Sequence, residues 1–272
     1  MTTSTQPISI TRFTAKSSST QMDLLSVEEP LEIALRYGMG LREMSLSVTM
    51  RTPGHDEELA IGFLLGEGII RQYNDSIGVI QESPNRVVVI LHEDVSFDPA
   101  QFERHVYTTS SCGICGKASI NAVRVEHSAP SPSQYWKVSP NLLYSLPGLL
   151  RTQQADFETT GGLHASALFT QQADLVLIRE DVGRHNALDK LIGATLQQDL
   201  PPLHDKILLL SGRASFELIQ KASLAGITFV AAVGAPSSLA VQLAVEMNIV
   251  LVGFLRNERF NVYSGIERLV KA

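Results

Sequence analysis

The chain has 272 residues, a formal net charge of -6, and 18% charged against 44% hydrophobic residues, enough to bury a sizeable core as one large domain or two smaller ones. That balance argues against a polyanion-binding surface over the whole molecule, leaves room for a local basic pocket, and makes nucleic acid a poor main partner. Apolar stretches such as VVVIL and IVLVGFL fall far short of the roughly 18 residues of a membrane span, and the N-terminus lacks an apolar signal region, so a soluble cytoplasmic protein is expected.

Residues 1–20 are rich in Ser, Thr and Gln and read as a flexible arm with no fold of their own. Two alternating stretches, LEIALRY and EMSLSVTM, follow as half-buried strands, the second with Met44, Leu46, Val48 and Met50 on one face. Pro53, Gly54 and the acidic run Asp56 to Glu58 mark a turn and a helix start, with Leu59, Phe63 and Leu64 on the apolar side of that helix. IGVIQES and RVVVILHE are two more strands, which makes residues 21–130 a smaller N-terminal α+β region. The segment SAPSPSQYWKVSP reads as a linker or wrapping loop and sets a boundary near residue 130. From 131 to 272 short apolar runs alternate with helix-length amphipathic segments: DLVLIRE, VGRHNALDKLIGATLQ, KILLLSG, SFELIQKASLAG, ITFVAAVG, SSLAVQLAVEMN and IVLVGFLR. This is the pattern of an α/β core with a mainly parallel sheet covered by helices.

Ligands of such sheets sit beyond the carboxyl ends of the strands. The residues expected there, in EDVGRHN, SGRASFE and GFLRNERF, put Arg184, Arg213, Arg256 and Arg259 on one rim. Gly183 and Gly212 allow close backbone approach, and amides near Ser215 open a helix, so a diphosphate-containing ligand suits the rim best. The alternative for each arginine is a solvated surface position or a pairing with Asp181, Asp189, Glu217 or Glu258. His164, in GGLHASAL, stands at an expected helix start as a ligand group, a proton donor or a satisfied core histidine; His185, beside Arg184, has the same alternatives. No G-x-G-x-x-G follows a strand, and Gly116-Lys117 lacks the context of a P-loop.

Both cysteines lie in SSCGICGKAS. A structural zinc would need two further ligands, and His105, His127, His164 and His185 form no H-x-x-x-H pair. A zinc deaminase would need proline where Ser111 stands and a glutamate where Ser166 stands, with its histidine ahead of the cysteines. A thioredoxin-like motif would open a helix directly after a strand, whereas YTTSSCGICG is polar and glycine-punctuated. What remains, beside two small residues buried in a turn, is a mobile nucleophile: Gly113 and Gly116 clear space around each sulfur, and Lys117 could lower a thiolate pKa. Such a thiol can take a sulfane sulfur from a persulfide and carry it.

Six strings, SSCGICG, MRTPGHDEELAIGFLLGEGII, GGLHASAL, EDVGRHNALDKLIG, SGRASFELIQKA and GFLRNERFNVYSG, together resemble the FdhD family of formate dehydrogenase accessory sulfurtransferases, from about residue 25 to the end. The resemblance implies a cytidine-deaminase-like three-layer core without zinc. It implies a sulfur carrier that takes sulfur from a cysteine desulfurase and passes it to bis-molybdopterin guanine dinucleotide, whose site GDP would also occupy, before insertion into formate dehydrogenase. By position, Cys112 would bear the persulfide with Cys115 as companion, and Phe254, Leu255, Arg256, Asn257, Glu258 and Arg259 would form the cofactor-binding segment, beside Arg213, Arg184, His185 and His164. Asn257 and Glu258 stand where glycine is expected. A homodimer is the expected assembly. The competing functions are a noncatalytic cofactor-binding chaperone and a deaminase-type zinc hydrolase.

Overall fold

A computed structural model describes residues 4–102, 136–200 and 203–270. Cys112, Cys115, His105, His127 and most of the proline-rich segment lie outside the described residues. Strands β1 (Thr5–Phe13) and β2 (Ser18–Ser26) form an antiparallel hairpin. Strands β3 (Glu29–Tyr37), β4 (Arg42–Arg51), β5 (Ser76–Ser83) and β6 (Arg86–Leu91) form a second sheet in the order β4-β3-β6-β5, with helix α1 (Asp56–Gly66) between β4 and β5 in the chain. Then come α2 (Pro140–Gln153), α3 (Ala155–Thr160), β7 (His164–Phe169), β8 (Leu175–Asp181), α4 (Arg184–Gln197), β9 (Ile207–Leu210), α5 (Phe216–Leu224), β10 (Phe229–Ala232), α6 (Ser238–Glu246), β11 (Val250–Arg256) and β12 (Arg259–Ser264).

The six-stranded sheet has the order β12-β11-β10-β9-β7-β8. Pairings β9–β10 and β10–β11 are parallel, while β7 runs antiparallel to both β8 and β9, so β8, β9, β10 and β11 all point the same way. The continuous apolar runs of the sequence are explained by burial on both faces. Leu208, Leu210, Val230 and Leu251 turn toward α4, α5 and α6, and their neighbours Ile207, Leu209, Phe229 and Val250 turn toward α2, which contributes Leu143, Leu146 and Leu150. The first of these cores continues through α1 into Leu31, Ile33, Val87 and Val89 of the four-stranded sheet. Helices α1 and α4 touch at two glycines: a Cβ on Gly62 would lie 1.9 Å from the Asp189 carbonyl oxygen, and one on Gly193 would lie 1.8 Å from that of Glu58. No side chain fits at either place, so the IGFLLG and LIGA segments must keep those glycines for the two halves to meet.

Three expectations need correction. Residues 5–20 are not an unfolded arm: alternating β-branched and polar residues zip Thr5–Phe13 onto Ser18–Ser26. The four-residue face in β4 is broken, because Leu46 is an extra residue between the pairs Ile33–Ser47 and Ala34–Ser45. Past that bulge the alternation switches phase, so Val48 and Met50 face solvent and Thr49 and Arg51 face inward with Leu31. GGLHASAL opens a strand, since β7 is enclosed between β8 and β9 and needs apolar side chains on both faces. Pro140, the last residue of the linker segment, belongs to the next helix. It is the first residue of α2, where a missing N–H costs nothing, and Ser139 caps the helix by accepting a hydrogen bond from the Leu142 amide at 3.2 Å.

Candidate functional site: an arginine rim

Because four strands point the same way, the turns after β8, β9, β10 and β11 gather at one end of the sheet, and antiparallel β7 begins there with His164 opposite Asp181. Their backbones touch in sequence along the rim. A Cβ on Gly212 would lie 3.2 Å from His164 Nδ1 and 3.9 Å from Arg184 Cδ. One on Gly234 would lie 2.9 Å from the Gly212 carbonyl oxygen and 3.0 Å from Arg213 Cα, and one on Gly253 would lie 3.4 Å from the Gly234 carbonyl oxygen. The glycines therefore let the turns from β7 to β11 pack closely on one another, because the places their Cβ atoms would take are filled by the His164 ring, the Gly212 and Arg213 backbone, and Pro236 and Tyr263. Gly234 and Gly253 escaped the sequence reading; the available signal was a glycine at or near the end of each parallel strand.

Arg184 and Arg213 open from the turns after β8 and β9, and Arg256 and Arg259 flank the turn joining β11 to β12. In that turn Asn257 and Glu258 have φ of 52° and 53°, the two-residue hairpin geometry that usually selects glycine or asparagine. Phe254 also has a positive φ of 55° at a bulge, with its amide donating to the Gly234 carbonyl at 3.0 Å. Three non-glycine residues in the left-handed region within five positions are the kind of stored strain that collects at ligand sites. The Arg256 guanidinium lies 6.0 Å from the Phe254 ring centroid. Leu255 is buried beneath the sheet in the α2-side core, so its side chain serves packing.

None of the four arginines has a carboxylate partner among the described residues, and the Arg184 Nε is buried without a hydrogen bond there. Three of the four acids that could have paired with them have other partners, while Glu258, in the β11–β12 turn, makes no ion pair among the described residues. Asp181 takes Lys190 at 2.7 Å, Asp189 takes Lys221 at 2.6 Å, and Glu217 lies 3.3 Å from His185 Nε2. His185 is itself buried, with Nε2 also 3.2 Å from Ser215 Oγ, so its ring belongs to the packing between α4 and α5. Because Ser215 Oγ faces His185, it does not cap α5, and Gly183 gives α4 no side-chain cap; Ser237, by contrast, caps α6. The positive ends of α4 and α5 thus open toward the rim. Burial lowers the pKa of His164, the Arg184 charge lowers it further, and Asp181 only partly opposes them, so this imidazole is neutral at pH 7. The rim as a whole gathers positive charge that no carboxylate partner among the described residues offsets.

Among the described residues no helix is long and apolar enough to cross a membrane, and no three His, Cys, Asp or Glu side chains cluster as metal ligands. The FdhD/NarQ family model matches residues 26–270. The chain belongs to this family. It is 49% identical over 261 residues to the sulfur carrier protein FdhD of Streptomyces coelicolor, covering 92% of this chain and 90% of that protein. Over 249 residues it is 42% identical to the sulfur carrier protein FdhD of Picrophilus torridus, covering 91% and 92%. The fold matches a crystal structure of a candidate formate dehydrogenase accessory protein from Desulfotalea psychrophila, with a TM-score of 0.75 and 21% identity over 98% of this chain and 100% of that one. The mixed α/β architecture with interleaved sheets and helices is common to both.

Proposed function

We propose that this FdhD-family chain is a sulfur carrier that loads sulfur on Cys112 and delivers it to bis-molybdopterin guanine dinucleotide held on the arginine rim, for use by formate dehydrogenase. The observation that carries this reading is the rim: four arginines without carboxylate partners among the described residues, at one end of the six-stranded sheet in an acidic protein. The names of the relatives support the cargo being sulfur.

The chemistry requires little of the chain beyond a thiolate and a grip. Cys112 thiolate attacks the outer sulfur of a cysteine desulfurase persulfide; the new S–S bond forms as the donor S–S bond breaks, and the donor leaves as its own thiolate. At the rim the guanidinium groups of Arg184, Arg213, Arg256 and Arg259 hold the diphosphates of the cargo, with His164 beside Arg184 as a further polar contact. If sulfur leaves as sulfide, the two electrons come from Cys115: its thiolate attacks the inner sulfur of Cys112, a disulfide forms, and sulfide is expelled. On the C-terminal side of the cysteines, chain length permits the transfer. Trp136 is anchored at the far end of the sheet, its Nε1 donating to the His204 carbonyl at 3.0 Å and its ring 5.5 Å from that of Phe229. The strand between that anchor and the rim, β10, is only about 13 Å long at ~3.3 Å per residue. The roughly 20 residues from Cys115 to Trp136 can span up to about 70 Å.

Restoration of formate dehydrogenase in cells lacking the family protein tests the reading. Cys112→Ser is expected to restore none, and full restoration by that variant would overturn the assignment. A noncatalytic cofactor-binding chaperone, in contrast, would tolerate Cys112→Ser and still need the rim.

A further inference from the structure

Asp181 ends β8 with no exposure to solvent. Its carboxylate receives hydrogen bonds from three separate places: Lys190 Nζ at 2.7 Å and Asn186 Nδ2 at 3.2 Å from α4, the Gly183 amide at 2.8 Å from the rim turn, and the Thr52 amide at 3.1 Å from the turn between β4 and α1. Thr52 completes the circuit. Its Oγ1 accepts from the Val182 amide at 3.1 Å, and its carbonyl accepts from Lys190 Nζ at 2.7 Å. Asn186 is fixed in turn, donating to the Met50 carbonyl at 2.8 Å and accepting from Thr49 Oγ1 at 3.1 Å. The Val182–Gly183 turn that launches Arg184 is thereby clamped from both halves of the chain.

A buried ion pair is a poor source of net stability, because desolvation offsets much of its Coulomb gain; orientation is its best-attested use. Here the group being oriented is evident. Arg184 follows the clamped amide directly, its Nε is buried without a partner among the described residues, and its Cδ would stand 3.9 Å from a Cβ on Gly212. His164, opposite Asp181 in the β7–β8 register, stands over the same glycine.

We propose that Asp181 is a positioning residue for the rim: by fixing the Gly183 amide it sets the direction in which Arg184 presents its guanidinium to the cargo, without touching the cargo. The inference rests on the rim being a nucleotide-diphosphate site. Its test is a set of double-mutant cycles read by titration with guanosine diphosphate, with thermal melting of every variant and mass measurement of the Cys112 persulfide in parallel. Asp181→Asn keeps the shape but turns an amide toward Lys190 Nζ and the Thr52 amide. Its affinity is expected to fall about tenfold, a typical coupling between linked elements. Adding Arg184→Ala should then cost less than about twofold more, whereas adding Arg256→Ala should multiply in its full separate effect. Persulfide loading should stay at the wild-type level in Asp181→Asn. Because Asp181→Asn leaves Lys190 buried beside a neutral partner, Gly183→Ala provides a second route. Its Cβ would lie 3.0 Å from Asn186 Nδ2 and 3.4 Å from Asp181 Oδ1, disturbing the clamp from the other side, and the same selective coupling to Arg184 is expected. Losses at 181 and 184 that simply multiply, or a folded Asp181→Asn that binds like wild type, would overturn the positioning role while leaving the cargo site standing. A wild-type protein that binds no guanosine diphosphate would overturn the cargo site and this role with it.

Discussion

Arg36, Arg51, Arg86 and Arg179 each lie against a carboxylate, whereas Arg184, Arg213, Arg256 and Arg259 have none among the described residues. In the first set, Arg36 pairs with Glu43 at 2.7 Å, Arg86 bridges Glu32, Glu43 and Glu82, Arg179 pairs with Glu58 at 2.7 Å, and fully buried Arg51 is bidentate on Asp56 at 2.8 and 2.9 Å. These arginines join β3, β5 and β6 of the four-stranded sheet to β4 and tie α1 to its surroundings. The second set belongs to the end of the six-stranded sheet; of the acids near it in sequence, Asp181 and Asp189 are held by the buried lysines Lys190 and Lys221. The difference separates cations that hold the fold from cations left for a ligand, a distinction net charge alone cannot make.

The comparison breaks most visibly at Arg51. Arg51→Ala leaves Asp56 without its partner in a largely buried place and should cost about 3–5 kcal/mol of stability in urea unfolding, because a severed buried pair leaves an uncompensated charge. A loss as small as that of a surface substitution would show that the first set does not hold the fold. The rim predicts the reverse: Arg213→Ala or Arg256→Ala should alter stability by less than about 0.5 kcal/mol and weaken guanosine diphosphate binding about tenfold. A smaller effect comes from pH. Burial would raise the pKa of Glu58, but Arg179 and His55 outweigh it and hold the carboxylate at about 2, below its ordinary 4.5. Its stabilisation is therefore complete above pH 4.5 and is lost as the pH falls toward 2, so wild type should lose urea resistance across that window to a degree that Glu58→Gln does not. Smallest of all is the response of His164. Its resonances should titrate below the ordinary 6.5, and bound diphosphate should move that titration upward, since an anion favours the imidazolium.

Much of the fold was legible because burial on both faces leaves a distinctive trace. β8 to β11 are short apolar runs, each of the first three followed by an amphipathic helix, and the rim arginines follow from where those runs end. Other features depend on distant partners. The phase switch at Leu46 is visible only once β4 pairs with β3, and the glycine contacts of Gly62 and Gly193 only once α1 crosses α4. Asp181 read as a partner for rim arginines; its preference for Lys190 and for the Thr52 amide, 129 positions away, is a tertiary fact. The hairpin of residues 5–26 was hidden by composition, since Ser, Thr and Gln are read as disorder more readily than as strand. The boundary expected near residue 130 lies outside the described residues.

The central claim, that sulfur travels on Cys112, is tested most directly by the mass of the intact protein and of its Cys112 peptide after incubation with a cysteine desulfurase and free cysteine. The account predicts a gain of one sulfur atom on that peptide, reversed by thiol reductant and absent from Cys112→Ser. A protein that stays at its unmodified mass while the desulfurase turns over would contradict it.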